Sequence, residues 1–119
     1  MLPHTRAIVA AAAYAFIFDK KVAGVHDHTT GDDLQIAGEA RGSSLQGVDG
    51  DRSIKFGGKL PELRNGADDT FISMEIEGAT ARGYDRGSSS HYSLTAQGEV
   101  IQIYDHADEA WFAYSIQTA

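Results

Sequence analysis

The sequence predicts an all-β protein: an antiparallel up-and-down meander of about 9–11 short strands that forms a barrel or a strongly curved sheet. The first observation is the 20-residue spacing of Gly38, Gly58, Gly78 and Gly98. A period of about 20 without helical patterning corresponds to two short strands and two turns. The second observation is the alternation of apolar and polar residues between these glycines. We interpret the chain as one β-hairpin unit copied several times, with the four glycines at turns.

The individual strands are predicted from runs with a period of two. Ile72, Met74 and Ile76 would share one face of a strand, while Ser73 and Glu75 would share the other. Similar alternation occurs over residues 34–36, 54–56, 101–103 and 112–116. Short alternating runs bounded by Gly and Asp are typical of half-buried antiparallel strands. Pro61 cannot donate a ladder hydrogen bond, so its segment is predicted to be an edge, a bulge or a bend.

An apolar N-terminal segment, residues 1–12, precedes the hairpin repeats, which we assign to residues 13–119 of a single β domain. The apolar run from Ala7 to Phe18 permits three interpretations. It is a short helix buried against the sheet or a partner, or it contains a first strand, Tyr14–Phe18, that turns at Asp19-Lys20. The third interpretation is a signal peptide with Arg6 as its basic start. The run is too short to span a bilayer.

Composition fits one small domain without disulfides. The 119-residue chain can bury about two thirds of its unfolded surface, and it contains no cysteine, which excludes thiolate metal sites and cysteine nucleophiles. Ten basic and seventeen acidic residues give a net charge of −7. Nucleic-acid affinity depends on basic side chains that neutralise phosphates, so no nucleic-acid partner is expected. We expect a cytoplasmic protein, with a secreted or periplasmic location as the alternative.

Aspartates follow the strands at matching places in the repeats and define a candidate functional rim. Turns that are one repeat apart in a meander lie at the same end of the sheet. Asp27, Asp49, Asp85 and Asp105 should therefore gather at one rim, with Asp68 supplied by the third copy. Asp at a strand end stabilises a turn by accepting backbone hydrogen bonds. The functional alternative is a carboxylate cluster that binds Ca²⁺ through oxygen ligands, and Asp49-Gly50-Asp51 has the alternating carboxylates of a calcium loop.

Histidines near this rim suggest a second kind of metal site. His26 and His28 would point to the same side of a strand about 7 Å apart, a spacing at which two imidazoles can share a zinc ion. The third ligand would be His106, which follows the repeat aspartate as His28 does, or His91. The alternative is that these histidines are solvated or hydrogen-bonded at the strand ends.

Aromatic side chains recur beside the polar loops and suggest a ligand surface. Tyr84, Tyr104 and Trp111, together with Arg86, are the candidate ligand contacts at the rim. The segment from Tyr84 to Tyr104 resembles, in architecture, the hairpin repeats of choline- or glucan-binding cell-wall modules. Those repeats carry tryptophan in nearly every copy, whereas this chain has one. Aromatic rings beside carboxylates suit a carbohydrate or another small-molecule ligand, and the alternative is that the rings pack at the sheet ends.

The sequence contains no Gly-x-Ser-x-Gly elbow, no P-loop and no Gly-x-Gly-x-x-Gly fingerprint. We therefore predict a non-enzymatic binding or interaction module that self-associates as a homo-oligomer and needs no cofactor. The alternative is a small-ligand or metal-dependent enzyme, using Ca or Zn, with its site at the Asp and His rim. An enzyme should show a closed pocket where His26, His28 and His106 converge with an aspartate. A binding module should show a flat or apolar exposed surface.

Overall fold

A computed structural model describes residues 1–119 and shows one helix followed by twelve strands. The helix, α1, spans Pro3–Phe18. The strands are β1 (Val22–Asp27), β2 (Asp33–Leu34), β3 (Ile36–Arg41), β4 (Ser44–Asp49), β5 (Ile54–Lys59), β6 (Glu62–Asn65), β7 (Thr70–Ser73), β8 (Glu75–Glu77), β9 (Thr80–Asp85), β10 (Ser90–Gln97), β11 (Val100–Asp105) and β12 (Ala110–Thr118).

The strands form one closed antiparallel barrel around the helix. Strands adjacent along the chain pair with each other, and β12 pairs with β1, which completes the circle. Interruptions at Gln35 and Met74 divide two of the barrel strands into β2–β3 and β7–β8, so the barrel has ten strands. The predicted fold class is confirmed: an antiparallel meander of short strands, closed into a barrel and preceded by a short helix.

Two-residue turns join the strands at one end of the barrel, which we call the glycine-turn end. Gly42-Ser43, Gly78-Ala79 and Gly98-Glu99 form three of these turns, each with positive φ at its glycine. Hairpin turns with glycine at the first central position match the right-handed twist of the flanking strands. Leu60-Pro61 forms the equivalent turn between β5 and β6.

Gly38 and Gly58 lie within β3 and β5 and not at turns, so that part of the predicted repeat is wrong. Gly38 is buried in the barrel wall, where the ring of Phe56 lies beside Gly38 and Gly47. A methyl group added at Gly47 would overlap that ring. Gly38 and Gly47 therefore make room for the Phe56 side chain in the core. Gly38 has the sequence spacing of a turn glycine, but it serves this packing and not a turn.

Loops of four residues, or five between β1 and β2, join the strands at the opposite end, which we call the Asx end. The fourth residue of each loop adopts a left-handed conformation: Gly31, Ser53, Asp69, Ser89 and Glu109. One inward-facing side chain precedes each loop, and we call this set the Asx ring: Asp27, Asp49, Asn65, Asp85 and Asp105. The predicted gathering of the aspartates at one end is correct. The third position is Asn65 and not Asp68, because the β5–β6 hairpin is shorter than the other hairpins.

Helix α1 runs through the barrel from the Asx end to the glycine-turn end. Every residue from Ala7 to Ala15 is buried, so strands cover the helix on all sides. Alanine is the strongest helix former and adds no bulk beyond Cβ, which suits a helix enclosed by a ten-stranded wall. The helix interpretation of the N-terminal segment is therefore correct, and the strand interpretation of Tyr14–Phe18 is wrong.

The helix continues past the predicted boundary at residue 12, and the hairpin repeats begin only at Val22. Asp19 ends the helix in a left-handed conformation with φ of 52°, so it serves as the turn residue where the other copies use glycine. No helix of the protein is both long and apolar enough to cross a membrane.

Candidate functional site

The Asx ring is buried, although four of its five side chains are carboxylates. Asp27, Asn65, Asp85 and Asp105 accept a hydrogen bond from the backbone N–H two residues further along the chain, at 2.8, 3.0, 3.2 and 3.0 Å. These local turns satisfy buried oxygen atoms that would otherwise destabilise the fold. The repeated hydrogen bond matches the turn-stabilising interpretation of the aspartates.

The N-terminal end of α1 lies against the Asx ring. The Met1 ammonium donates to Asp105 Oδ2 at 2.6 Å, and both groups are fully buried. His4 Nδ1 lies 3.1 Å from Asp49 Oδ2. The N-terminus of a helix carries partial positive charge, so the carboxylates are favourably placed there. The helix and the ring therefore hold each other in register.

Arg6 joins the helix to the barrel wall. Its Nη1 donates to Asp105 Oδ2 at 3.3 Å and to Asp108 Oδ2 at 3.0 Å. Its Nε donates to the Tyr114 hydroxyl oxygen at 3.4 Å, and its guanidinium carbon lies 3.6 Å from the ring centroid of Phe112. A guanidinium that is nearly buried requires such a set of partners.

Burial and neighbouring charges shift the pKa of Asp105 in opposite directions. Burial alone would raise the pKa of Asp105, but the hydrogen bond and charge of the Met1 ammonium, the Ala107 N–H and Arg6 together lower that pKa below its usual value. Burial raises the pKa of Tyr114 to about 12, so its phenol stays protonated. Asp105 is therefore an internal counter-ion for two cations at neutral pH.

Asp49 is the least satisfied member of the Asx ring. Its Oδ2 accepts a hydrogen bond from Arg52 Nε at 2.7 Å in addition to the contact with His4. Its Oδ1 and the Nη2 of Arg52 are buried without a hydrogen-bond partner. No other carboxylate of the ring has a buried oxygen without a hydrogen-bond partner. The ring therefore closes this end of the barrel from within.

The tyrosines that precede the ring aspartates lie on the outside of the barrel. Because strand side chains alternate between faces, an inward Asp85 or Asp105 places Tyr84 or Tyr104 outward. Ring centroids of Tyr84 and His91 lie 4.5 Å apart, those of Tyr104 and His106 lie 4.8 Å apart, and those of Tyr104 and Trp111 lie 5.2 Å apart.

These two groups join into one band across the strands β9 to β12. The His106 N–H donates to the His91 carbonyl oxygen at 3.0 Å, which places the two histidines side by side. We call the band the aromatic row; its members are Tyr84, His91, Tyr104, His106 and Trp111. Trp111 is 60% exposed, compared with 42% for Phe71.

Two shallow concavities adjoin the aromatic row. One, of about 500 Å³, is lined by Tyr84, His91 and His106, and the other, of about 300 Å³, is lined by Trp111. Both share the polar side chains of Glu75, Arg82 and Ser93 as lining. Aromatic walls with a few polar groups are typical of small-ligand sites.

The predicted histidine triad does not assemble. Ring centroids of His26 and His28 lie 5.5 Å apart, but His26 contacts Asp33 and His28 contacts Ser115. His106 packs on Tyr104 instead. No group of three or more His, Asp or Glu side chains is arranged to hold a metal ion.

Arg86 also lies apart from the aromatic row. It is exposed, donates to Glu62 Oε1 at 2.9 Å and approaches the ring of Phe71 at 5.9 Å. Four of the candidate ligand contacts are not members of the Asx ring. The structure brings together three of them, Tyr84, Tyr104 and Trp111, whereas the fourth, Arg86, pairs with Glu62.

No family model matches the sequence, and no curated protein or solved structure matches the chain.

Several site residues were not among those selected from the sequence. Arg6 was interpretable only as the basic start of a signal peptide, although a lone charge at the head of an apolar helix also signals a buried ion pair. Asn65 escaped notice because the period assigned its place to Asp68. His91 was predicted only as an alternative metal ligand, although the pairing of β9 with β10 across the loop 86–89 places it opposite Tyr84.

Proposed function

We propose that this protein is a non-enzymatic binding module whose ligand surface is the aromatic row, and that it self-associates. The observation that carries the proposal is the occupied interior. Helix α1 fills the barrel and the Asx ring closes one end, so a ligand must bind to the outer wall. The outer wall concentrates its aromatic rings on four adjacent strands.

The chemistry of the aromatic row favours an oligosaccharide. Tyr104 and Trp111 offer ring faces to which the C–H groups of a sugar ring can stack. Arg82 and Glu75, whose side chains are largely exposed and 3.5 Å apart, supply a donor and an acceptor for sugar hydroxyls. The two adjoining concavities give room for more than one sugar unit along the row.

Fluorescence titration tests the proposal directly, because Trp111 is the only tryptophan of the chain. The probes are cellohexaose, maltohexaose and chitohexaose. We expect one of them to shift the emission of Trp111 saturably, with a Kd of about 1 mM or tighter, equivalent to about −4 kcal/mol.

Two variants sharpen this test. Tyr104→Ala should weaken binding about fivefold or more, since one stacked ring contributes about 1 kcal/mol beyond its area. Phe71→Ala is the matched control, because Phe71 is also exposed (42%) but lies outside the aromatic row. Absence of saturable binding for all three sugars, by fluorescence and by calorimetry, would refute the oligosaccharide assignment.

The second candidate function is an enzyme with its site at Asp49 and His4, at the Asx end of the barrel. The specific observation that favours it is the pairing of a partly exposed His4 with the buried Asp49, since a carboxylate that orients an imidazole is a common element of general-base sites. A metal-dependent form, using Ca or Zn, is tested by elemental analysis of the purified protein and by melting with and without chelator. A bound metal and a lowered Tm with chelator would favour the enzyme over the binding module.

A further inference from the structure

The two ends of the barrel differ in chemistry. Buried polar groups and the helix N-terminus close the Asx end, whereas the glycine-turn end has no such seal. There the helix ends with Phe16, Ile17 and Phe18, all of which are partly exposed. Further apolar side chains at the strand ends surround them: Ala40, Leu60, Ile76 and Ala96. We call this set, with the three helix residues, the apolar mouth.

The apolar mouth follows from the repeat. Ala40, Ile76 and Ala96 stand two residues before the turn glycines Gly42, Gly78 and Gly98, so copying the hairpin copies an inward apolar residue at the end of each strand. A patch of this kind on a small domain generally marks a contact surface.

Unpaired charged residues around the apolar mouth are unevenly distributed by sign. Lys20 and Lys21 lead into β1 and Lys59 ends β5, so one side of the barrel has three cations and one anion, Asp19. Glu77 ends β8 and Glu99 lies in the β10–β11 turn, on the opposite side of the strand order. None of these six side chains takes part in an ion pair within the chain.

We propose that the apolar mouth is the interface of an end-to-end dimer with a second copy of this chain. A twofold axis that lies in the interface, perpendicular to the line from the cationic to the anionic side, places the cations of one copy over the anions of the other. An isologous interface requires this self-complementarity. Lys20 and Lys21 also offset the partial negative charge where the two helix C-termini meet.

The size of the barrel end is adequate for a stable dimer. The molecule measures 32 × 31 × 28 Å between its outermost Cα atoms, so either end presents a disc about 30 Å across, or roughly 700 Å². Standard protein interfaces bury about 800 Å² per partner. The inference deepens the self-association in the proposed function, and it names the partner and the surface independently of the aromatic row.

Charge reversal with rescue tests the dimer. Sedimentation velocity of the unaltered chain at about 100 μM should give twice the monomer mass of 12.8 kDa. The variant K20E/K59E carries anions on both sides of the mouth, and E77K/E99K carries cations on both sides. All four positions are exposed, so both variants should fold. Each variant alone should dissociate at least tenfold more readily, and an equimolar mixture should recover the dimer mass as a heterodimer.

Controls separate this inference from the proposed function. Lys55→Glu reverses an exposed charge on the side of the barrel and should leave the dimer unchanged. Sugar binding by the aromatic row should persist in K20E/K59E, since neither lysine lines the two concavities beside that row, whereas Glu77 lines the concavity at Trp111. A monomer at about 100 μM, or a mixture that fails to recover the dimer, would overturn the inference whatever the sugar titration shows.

Discussion

Replacement of Asp105 by Asn tests the internal seal of the barrel most directly. Asp105 is the buried counter-ion of the Met1 ammonium, at 2.6 Å, and of Arg6, at 3.3 Å. Asn keeps the shape and the acceptor for the Ala107 N–H but removes the charge. Removing one partner of a buried ion pair costs about 3–5 kcal/mol, and we take about 3 because the amide still accepts hydrogen bonds.

Asp85→Asn is the matched control for Asp105→Asn. Asp85 occupies the equivalent position in the repeat and is equally buried, but its partners are the neutral Gly87 N–H and Ser88 hydroxyl. Loss of a neutral partner costs about 0.5–1.5 kcal/mol. Unfolding entropy scales at about 2.1 cal/mol/K per residue, so 3 kcal/mol lowers the Tm of a 119-residue domain by about 12 °C, and 1 kcal/mol by about 4 °C.

The difference between Asp105→Asn and the unaltered chain should depend on pH. The pKa of Asp105 is lowered in the folded state, so its stabilisation is fully present above the unfolded pKa near 3.9 and is lost as the pH falls through the folded value. Urea titrations at pH 7 and near pH 2.5 measure this. Equal destabilisation by the two variants at pH 7, or an Asp105→Asn cost that does not shrink in acid, would contradict the ion-pair argument.

Three further substitutions probe the packing of the barrel, each measured by thermal or urea unfolding. Gly47→Ala should cost about 1–3 kcal/mol, because its methyl group overlaps the Phe56 ring, and Phe56→Leu in the same chain should recover part of that loss. Gly98→Val should cost about 1 kcal/mol or more, since Gly98 has a φ of 60° and no atoms near its absent Cβ; an unchanged Tm would disprove backbone strain as the reason. Ala11→Leu should cost about 1–3 kcal/mol inside the closed wall, whereas Ala23→Leu at an exposed position should be nearly neutral.

The repeat made the barrel predictable from the sequence, but only where the copies are regular. Gly78 and Gly98 stand in turns as expected, and the aspartates meet at one end, because equal hairpins place equal positions together. The turn prediction is wrong for Gly38, because this glycine lies within a strand, makes room for Phe56 and has the same sequence spacing as the turn glycines. The sequence pattern alone cannot show whether a glycine is needed for a positive φ at a turn or for space beside a large side chain.

The helix and the candidate site were harder to predict for physical reasons. A helix that is apolar on every side has no amphipathic pattern, so the run from Ala7 to Phe18 fits a strand, a signal peptide or a buried helix equally well. The aromatic row was anticipated in Tyr84, Tyr104 and Trp111, since these residues repeat with the hairpin. Arg6 gains its partners from strands about 100 residues away, at Asp105 and Asp108, and no short-range pattern reports such a contact.

The pairing of β1 with β12 has a consequence for how the protein forms. Every other strand contact links neighbours along the chain, but this one joins residues 22–27 to residues 114–118. It can form only after almost the whole chain is in place, and it then traps the helix inside the wall. Because this pairing spans nearly the whole sequence, we expect its formation to be a late and slow step of folding.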